Sequence, residues 1–336
     1  MNVVDCAAFM AARDVLSPAI LDGIPSEYEA YWLADSSPYE GRVDRLVFEN
    51  KDGVAARVCI LRPVDGGDAL FCFYGRRDDL NEEDRALFFQ ELKAWFRAES
   101  IETIQGPLEF STWYPYRFVC EQGNSPWFPG EQPMPDTLYA DFLAGGFSDV
   151  ARYASTLVED LAQSIDLGLA MGVDKGLAVL QTRTVTGNDI VGMLPALYDL
   201  SVNIFRDNYA YSPIAYEQFE ALYSRIAALD AAVIVAEDRE GPVGMAFSYN
   251  IGPYAPSLND TPELTCVLKT IGVHPRVRKQ RIGFGVSYLT HKHWMEQGFQ
   301  RIIHAYMKSD NVSRAMSSHF GQTLREYALV GWSETE

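Results

Sequence analysis

The stretch Leu264-Thr265-Cys266-Val267-Leu268-Lys269-Thr270-Ile271-Gly272-Val273 reads as a strand, and it runs through His274-Pro275-Arg276-Val277-Arg278-Lys279 into Gln280-Arg281-Ile282-Gly283-Phe284-Gly285, after which a helical pattern begins. A strand that ends in a cationic, glycine-punctuated turn and opens a helix aims several unpaired backbone N–H groups at one point. The positive end of the helix dipole is aimed there too. Gly283 and Gly285 carry no Cβ, so the main chain can come close to an anion. The turn is therefore expected to cradle phosphate. Neither of the other common phosphate loops fits: a Walker A loop needs Gly-Lys-Ser/Thr, and the dinucleotide fingerprint needs a third glycine where this chain has Tyr288.

The spacing Gln280-x-x-Gly283-x-Gly285 after the strand end Val273-x-Pro275 resembles the acyl-CoA pyrophosphate loop of the GNAT superfamily of N-acyltransferases. Around it, residues 177–184 read as a strand, and Thr186, Asn188 and Asp189 supply N-cap chemistry for a helix carrying Ile190, Met193, Leu194, Leu197 and Leu200. Pro213 opens a second helix. Strands at 232–237 and 243–249 flank the turn Asp238-Arg239-Glu240-Gly241-Pro242, a helix over 283–297 closes at Gly298, and a strand follows at 301–307. A short helix from Asn311 to near Gly321 and a last strand at 324–330 complete the half. This order is similar to the GNAT fold over about residues 177–333. The resemblance implies an α/β (α+β) fold, a mixed, mostly antiparallel twisted sheet flanked by helices.

The first half looks like a worn copy. Strands at 46–49 and 54–63 surround Lys51-Asp52-Gly53, and a strand at 69–74, a helix at 81–98 and a strand ending at Ile104 follow. Tyr139 to Phe147 resembles the family's terminal helix ending in Gly-Phe. The cradle is missing, because the turn after Tyr74 carries Asp78, Asp79, Glu82, Glu83 and Asp84, which would repel pyrophosphate. A tandem chain is expected: a degenerate GNAT-like domain over 1–165 and the donor-binding domain over 176–336, with the boundary near 160–176. Between the copied elements lies an aromatic insertion, Gly106 to Phe118 and on to Pro135. It reads either as a packing plug or as the wall of a pocket with Glu109, Ser111 and Arg117 as its polar groups.

Composition frames these readings. The 336 residues carry 48% hydrophobic and 22% charged side chains, as a folded globular chain of two domains does. The net charge of −18 argues against nucleic acid as a main partner, and it sets off Arg276, Arg278, Lys279 and Arg281 as a local cationic cluster suited to a small polyanion. No apolar run reaches the roughly 20 residues of a membrane span. The start lacks a basic segment followed by an apolar core, so a cytoplasmic protein is expected. The five cysteines, Cys6, Cys59, Cys72, Cys120 and Cys266, form neither a disulfide framework nor a zinc motif. His291 and His293 are two apart on a predicted helix and cannot chelate one ion, so no metal is expected.

The resemblance also assigns roles. Arg278, Lys279, Gln280, Arg281, Ile282, Gly283, Phe284 and Gly285 would hold the donor's pyrophosphate, and main-chain groups of Ile271, Gly272 and Val273 would meet pantetheine and thioester. The carbonyl would be polarised by the N–H of Gly272 or Val273. Asn311, with Arg314 just after it, falls where the family contacts the pantetheine arm. Glu263 is the candidate general base. The family's tyrosine acid is absent, leaving Ser318, His319 or Tyr327 as candidates. The resemblance implies N-acyl transfer, with acetyl the default by family frequency, from acyl-CoA to the amine of a small molecule, with no further cofactor. A variant within the class takes its acyl group from an acyl carrier protein, and a rival reading is a non-catalytic acyl-CoA-binding protein.

Overall fold

The computed structural model describes residues 1–13, 15–16, 26–35, 37, 39–64, 66–114, 116–122, 124–209, 211–227, 230–257, 259–310, 314 and 317–335. In chain order it begins with β1 (Asn2–Val3), α1 (Cys6–Arg13) and α2 (Ser26–Leu33), then β2 (Gly41–Asn50), β3 (Gly53–Pro63) and β4 (Ala69–Arg76). Next come α3 (Glu82–Ala98), β5 (Thr103–Gly106), β6 (Phe118–Val119), α4 (Thr137–Ala144), β7 (Ser148–Val158) and α5 (Leu161–Ala170). After a 3₁₀ turn at Val173–Leu177 follow β8 (Gln181–Thr186), α6 (Asn188–Phe205), α7 (Tyr216–Ala227), β9 (Ala231–Asp238) and β10 (Gly241–Tyr254). The chain ends with β11 (Glu263–Val273), α8 (Ile282–Glu296), β12 (Arg301–Lys308) and β13 (Gln322–Ser333).

These elements form two compact units: Met1–Gln122 with Gly130–Arg152 and Glu326–Glu336, and Gly123–Pro129 with Tyr153–Arg325. The division differs from the contiguous halves 1–165 and 176–336 read from the sequence. The stretch 160–176, read as a boundary, holds α5, started by Asp160, whose side chain accepts from the Gln163 N–H at 2.8 Å. Both β7 and β13 change unit along their length.

In the first unit the strands follow the order β1-β2-β3-β4-β5-β13, antiparallel throughout except for the parallel pair β4–β5. The β2–β3 hairpin turns at Gly53, whose φ of +102° suits glycine. Helix α3 starts on Asn81, which accepts from the Asp84 N–H at 2.8 Å. Its first turn carries Glu82, Glu83 and Asp84 and its last Arg97, matching the helix dipole, while Phe88, Phe89, Leu92 and Phe96 are buried.

In the second unit the order is β7-β12-β11-β10-β9-β8, again antiparallel except for the parallel pair β11–β12. One face of this sheet packs Ile282, Val286 and Trp294 of α8 and Leu161 of α5 against Ile234, Val243, Cys266 and Ile302. On the other face Gly272 lets the end of α6 approach: a Cβ there would lie 2.6 Å from Ile204 Cγ2. Burial of such a core, at about 25 cal/mol per Å² of apolar surface, is the main force holding the unit together.

The first unit repeats the second's plan of an antiparallel meander, a helix and a parallel strand. Each unit is thus a mixed, mostly antiparallel sheet with helices, the fold class expected from the sequence.

Candidate donor site

Strands β11 and β12 pair from Thr265↔Arg301 to Leu268↔His304, and beyond that no pairing joins them among the described residues. Strand β11 climbs on for five residues to Val273, roughly 17 Å at the usual rise, held on its other side by β10. The orientation of its main chain follows from one bond: the His274 N–H donates to Val243 O at 2.8 Å. Main-chain groups alternate sides along a strand, so the Gly272 N–H also faces β10. Those of Ile271 and Val273 face the limb that β12 has left. Of the two N–H groups named from the sequence for carbonyl polarisation, Val273 is the one aimed into the opening.

The turn that follows is held by side chains. His274 accepts from the Arg276 N–H at 3.2 Å. Burial and the nearby Arg276 hold the imidazole of His274 below its ordinary pKa. Arg276 forks onto Asp238, with Nη2 2.8 Å from Oδ1, and this pairing brings the Asp238 carboxyl down to about 2. Arg278 donates to Ile204 O at 3.2 Å, at the C-terminal end of α6, and lies 3.7 Å from Asp207. The four-cation cluster is therefore partly neutralised by the protein itself. Lys279 makes no ion pair among the described residues, and Arg281 donates to Met171 O at 3.0 Å. Both are exposed, and both take left-handed φ, +74° and +62°. Such alternation of handedness turns successive N–H groups toward a common concavity.

Helix α8 opens here with no side-chain cap on its N-cap residue, Arg281. Its first bond back to the cap is Gly285 N–H to Arg281 O, at 3.2 Å. The N–H groups of Ile282, Gly283 and Phe284 precede it and have no partner of their own in the helix. The two glycines divide their work differently from the sequence reading. At Gly283 a Cβ would meet only Val273 Cγ2 at 3.4 Å, an ordinary contact, whereas at Gly285 it would lie 2.4 Å from Leu177 Cγ. Gly285 serves helix packing, not anion approach. The turn at Gln280–Arg281 is likewise closely packed by Gly176, where a Cβ would come within 2.6 Å of Gln280 O.

The remaining predicted residues are scattered. Asn311 lies outside the described residues. Arg314 ties two strands of its unit, donating to Thr156 Oγ1 at 2.8 Å and Thr323 Oγ1 at 2.6 Å. Ser318 and His319 are exposed in the turn that follows. Glu263 stands nine residues from Gly272 on the same strand, roughly 30 Å at extended rise, and ion-pairs with Arg301 at 3.1 Å. Tyr327 belongs to the first unit, where it is buried and its hydroxyl bonds Glu131. The structure does not bring Glu263 to the turn, because a strand keeps residues apart in proportion to their separation.

The corresponding place in the first unit is closed. Among the described residues strand β4 pairs with β5 only at Ala69↔Ile104 and Leu70↔Gln105, so it too leaves a stretch unpaired on that side, but Glu109 fills it. The Phe73 N–H donates to both carboxylate oxygens of Glu109, at 3.1 and 3.3 Å. Phe110 packs among Phe9, Trp32 and Phe73 in that unit's core. The front of the aromatic insertion is therefore a plug of the first unit. Its stretch 123–129 belongs to the second unit, where Pro126 O and Pro129 O accept from Tyr254 and Tyr249 at 2.7 and 3.0 Å.

Sequence reasoning missed a polar chain inside the second unit. Ser164, His291, His304 and Ser317 are all buried and linked in series, with 2.9 Å between Ser164 Oγ and His291 Nδ1 and 2.8 Å between the two Nε2 atoms. Spacing on one helix could not reveal it, since its members come from separate elements. Among the described residues no group of three or more His, Cys, Asp or Glu side chains is placed to hold a metal ion. Nor is any helix long and apolar enough to cross a membrane.

No protein-family model matches the chain, and no curated protein matches it. Solved structures do. A conserved protein of Enterococcus faecalis V583, described as a probable N-acyltransferase, is 9% identical with a TM-score of 0.53 over 99% of this chain and 71% of its own. A tandem GNAT protein from the clavulanic acid biosynthesis pathway is 13% identical with a TM-score of 0.48, over 99% of this chain and 97% of that one. A GCN5-related N-acetyltransferase from Sphaerobacter thermophilus gives 11% and 0.49, over 99% and 94%. The chain shares its fold with the Enterococcus protein. The second unit has an open limb between its parallel strands and an uncapped helix at the turn. The first has an acid in the limb and a capped helix.

Proposed function

We propose that this protein is an N-acyltransferase that carries an acyl group, acetyl first among them, from acyl-CoA to the amine of a small molecule by direct attack on the thioester. The observation that carries the reading is the junction of the open β11 limb with the uncapped start of α8, where Lys279 and Arg281 stand exposed. A pyrophosphate at the turn would meet main-chain N–H groups and two cations. A pantetheine arm running down the limb would pass the N–H groups of Val273 and Ile271. An N–H aimed at the thioester oxygen stabilises the charge that develops there, and holding amine and thioester together supplies the rest of the acceleration. The nitrogen's electron pair forms the C–N bond while the C–S bond breaks with its pair on sulfur, and the proton that the nitrogen loses ends, through water, on the departing thiolate. The first unit, with Glu109 in its limb and Asn81 on its helix, takes no donor.

Calorimetric titration with acetyl-CoA tests this directly. Micromolar binding to the intact chain that disappears in Gly283→Trp, whose indole covers the turn, is the expected result. Absence of binding by the intact chain, with binding of an acylated carrier protein instead, would transfer the reading to a carrier-protein donor docking at Lys279 and Arg281. Binding without acetylation of any amine would favour a sensor. The reading goes with a cytoplasmic location.

A further inference from the structure

The interior of the first unit holds a guanidinium that its surroundings satisfy on one side only. Arg57, on β3, is fully buried; its Nη1 donates to Phe9 O at 2.9 Å and ion-pairs with Glu29 Oε1 at 2.6 Å. The group lies over the Phe9 ring, 4.5 Å from its centroid. Nε and Nη2 are buried too, and neither has a hydrogen-bond partner. These two nitrogens belong together. In a planar guanidinium their N–H bonds run parallel along one edge and form the fork with which arginine takes an anion. Donors left unmet in a protein interior carry a desolvation penalty that a bound acceptor removes.

The neighbouring strand leaves room beside that fork. Gly75 of β4 stands opposite Arg57 in the ladder, and a Cβ built on it would lie 4.0 Å from Arg57 Nε and 3.4 Å from Leu16 Cδ1, with nothing closer. Both distances are ordinary contacts. The absence of a side chain at Gly75 thus frees a space of methyl size next to Nε.

Charge in this part of the core is unevenly matched. Glu29 is fully buried as well, and its other oxygen takes Arg13 Nη1 at 2.6 Å, so one carboxylate is divided between two guanidinium groups. Glu109, which Arg57 influences, has its pKa raised to about 8 by burial and adds little negative charge at neutral pH. The rings of Phe9, Trp32, Phe73 and Phe110 fill the surrounding core and bring no countercharge. A cation that receives only part of a carboxylate in a low-dielectric interior attracts a further anion strongly.

Water is the alternative acceptor, and its own protons tell against it. A water at the fork would accept from both N–H groups but would bring two donors into a space walled by the Leu16 side chain and the Gly75 Cα, which accept from neither. A monatomic anion brings no donor, fits a space of that size and supplies the missing charge. We propose that the Nε–Nη2 fork of Arg57 holds one buried halide ion, chloride in ordinary salt, against the Gly75 face of β4. An ion closed in this way is taken up as the unit folds. It ties the stability of the first unit to the halide concentration, since it binds the folded chain and not the unfolded one. The site is separate from the acyl-donor reading and stands or falls without it.

The test follows thermal unfolding of the full chain while sodium chloride replaces sodium gluconate at fixed ionic strength, which holds general screening constant. The gluconate anion is too large for the space. The wild type is expected to gain about 2–4 °C in Tm, saturating with chloride, and bromide is expected to act alike. Gly75→Ala fills the space through ordinary contacts, at a residue whose φ lies outside the left-handed range, and is expected to fold and to lose the response. Arg57→Met keeps much of the side chain's length without the fork and is expected to lose it too, so either variant decides if the other does not fold. Crystals grown in sodium bromide are expected to show an anomalous peak within hydrogen-bonding reach of both Nε and Nη2, a readout that needs no variant. A Tm indifferent to chloride, an equal response in Gly75→Ala, or a fork that meets only water in the bromide crystals overturns the proposal.

Discussion

At Glu109 a carboxyl occupies in the first unit the position that a ligand carbonyl is proposed to take in the second. Burial pushes its pKa up to about 8, with Glu29 adding to the rise and the Phe73 N–H and Arg57 opposing it. The folded protein therefore holds a proton there that the unfolded chain releases near pH 4.5. Linkage fixes the sign: the stability this group contributes is complete below the unfolded pKa and is lost as pH rises through the folded value. Glu109→Gln keeps an acceptor for Phe73 and removes the titration. Urea unfolding is expected to show the variant gaining on the wild type by a few kcal/mol between pH 4.5 and 8, and equal slopes over that range would refute a protonated Glu109. The sequence marked Glu109 as one polar group of an aromatic run. It could not say whether the run would line a pocket or fill one, because that depends on which backbone N–H the carboxyl meets. Ser317 shows the same limit. Its neighbours Ser318 and His319 drew attention as candidates on the segment, yet Ser317 is the one turned inward onto His304.

Helix α8 separates what was legible from what was not at the scale of an element. Its position after a strand and a glycine-bearing turn was readable within a residue at each end, since the punctuation is local. The different tasks of Gly283 and Gly285 were not, because the Leu177 side chain that excludes a Cβ comes from a distant 3₁₀ turn. This gives a paired prediction in thermal melting. Gly285→Ala is expected to destabilise the protein by about 1–3 kcal/mol through overpacking, while Gly283→Ala is neutral or stabilising by up to about 1 kcal/mol. If the two behave alike, the packing argument fails. Helix α3 offers a control of the opposite kind, where Asn81→Ala should cost about 0.5–2 kcal/mol by removing the cap. For donor binding, Lys279→Ala with Arg281→Ala should weaken acetyl-CoA and flatten its dependence on salt. An unaltered affinity would remove these residues from the site. Helices α1, α2 and α5 and strand β7 escaped the reading. Helix α5 lies in the stretch that glycines marked as a boundary, and for β7 nothing local says which sheet a lone strand will join.

Across the whole molecule, the net charge of −18 is distributed so that the acids of the first unit's helix start and the cations of the second unit's turn mark opposite fates for one shared plan. The two units also complete their sheets with unexpected pieces of chain: 326–333 adds to the first through Val330↔Gly106, and 153–158 adds to the second through Ile302↔Val158. Fragments cut at the boundary expected from the sequence, 1–165 and 176–336, would each lack a closing strand. Expressed apart they are expected to show broad, poorly dispersed amide spectra, and expressed together to regain the dispersion of the intact chain. Two well-dispersed separate fragments would contradict this.

That arrangement also sets an order of events during synthesis. The first unit's early strands emerge from the ribosome long before residues 326–333, yet its sheet can close only when those residues arrive. A chain stopped before residue 326 would keep the 274–285 turn and leave the first unit unfinished. The same dependence ties the fate of the plugged unit to that of the open one. Deleting residues 1–165 would also remove 153–158, a strand of the second unit.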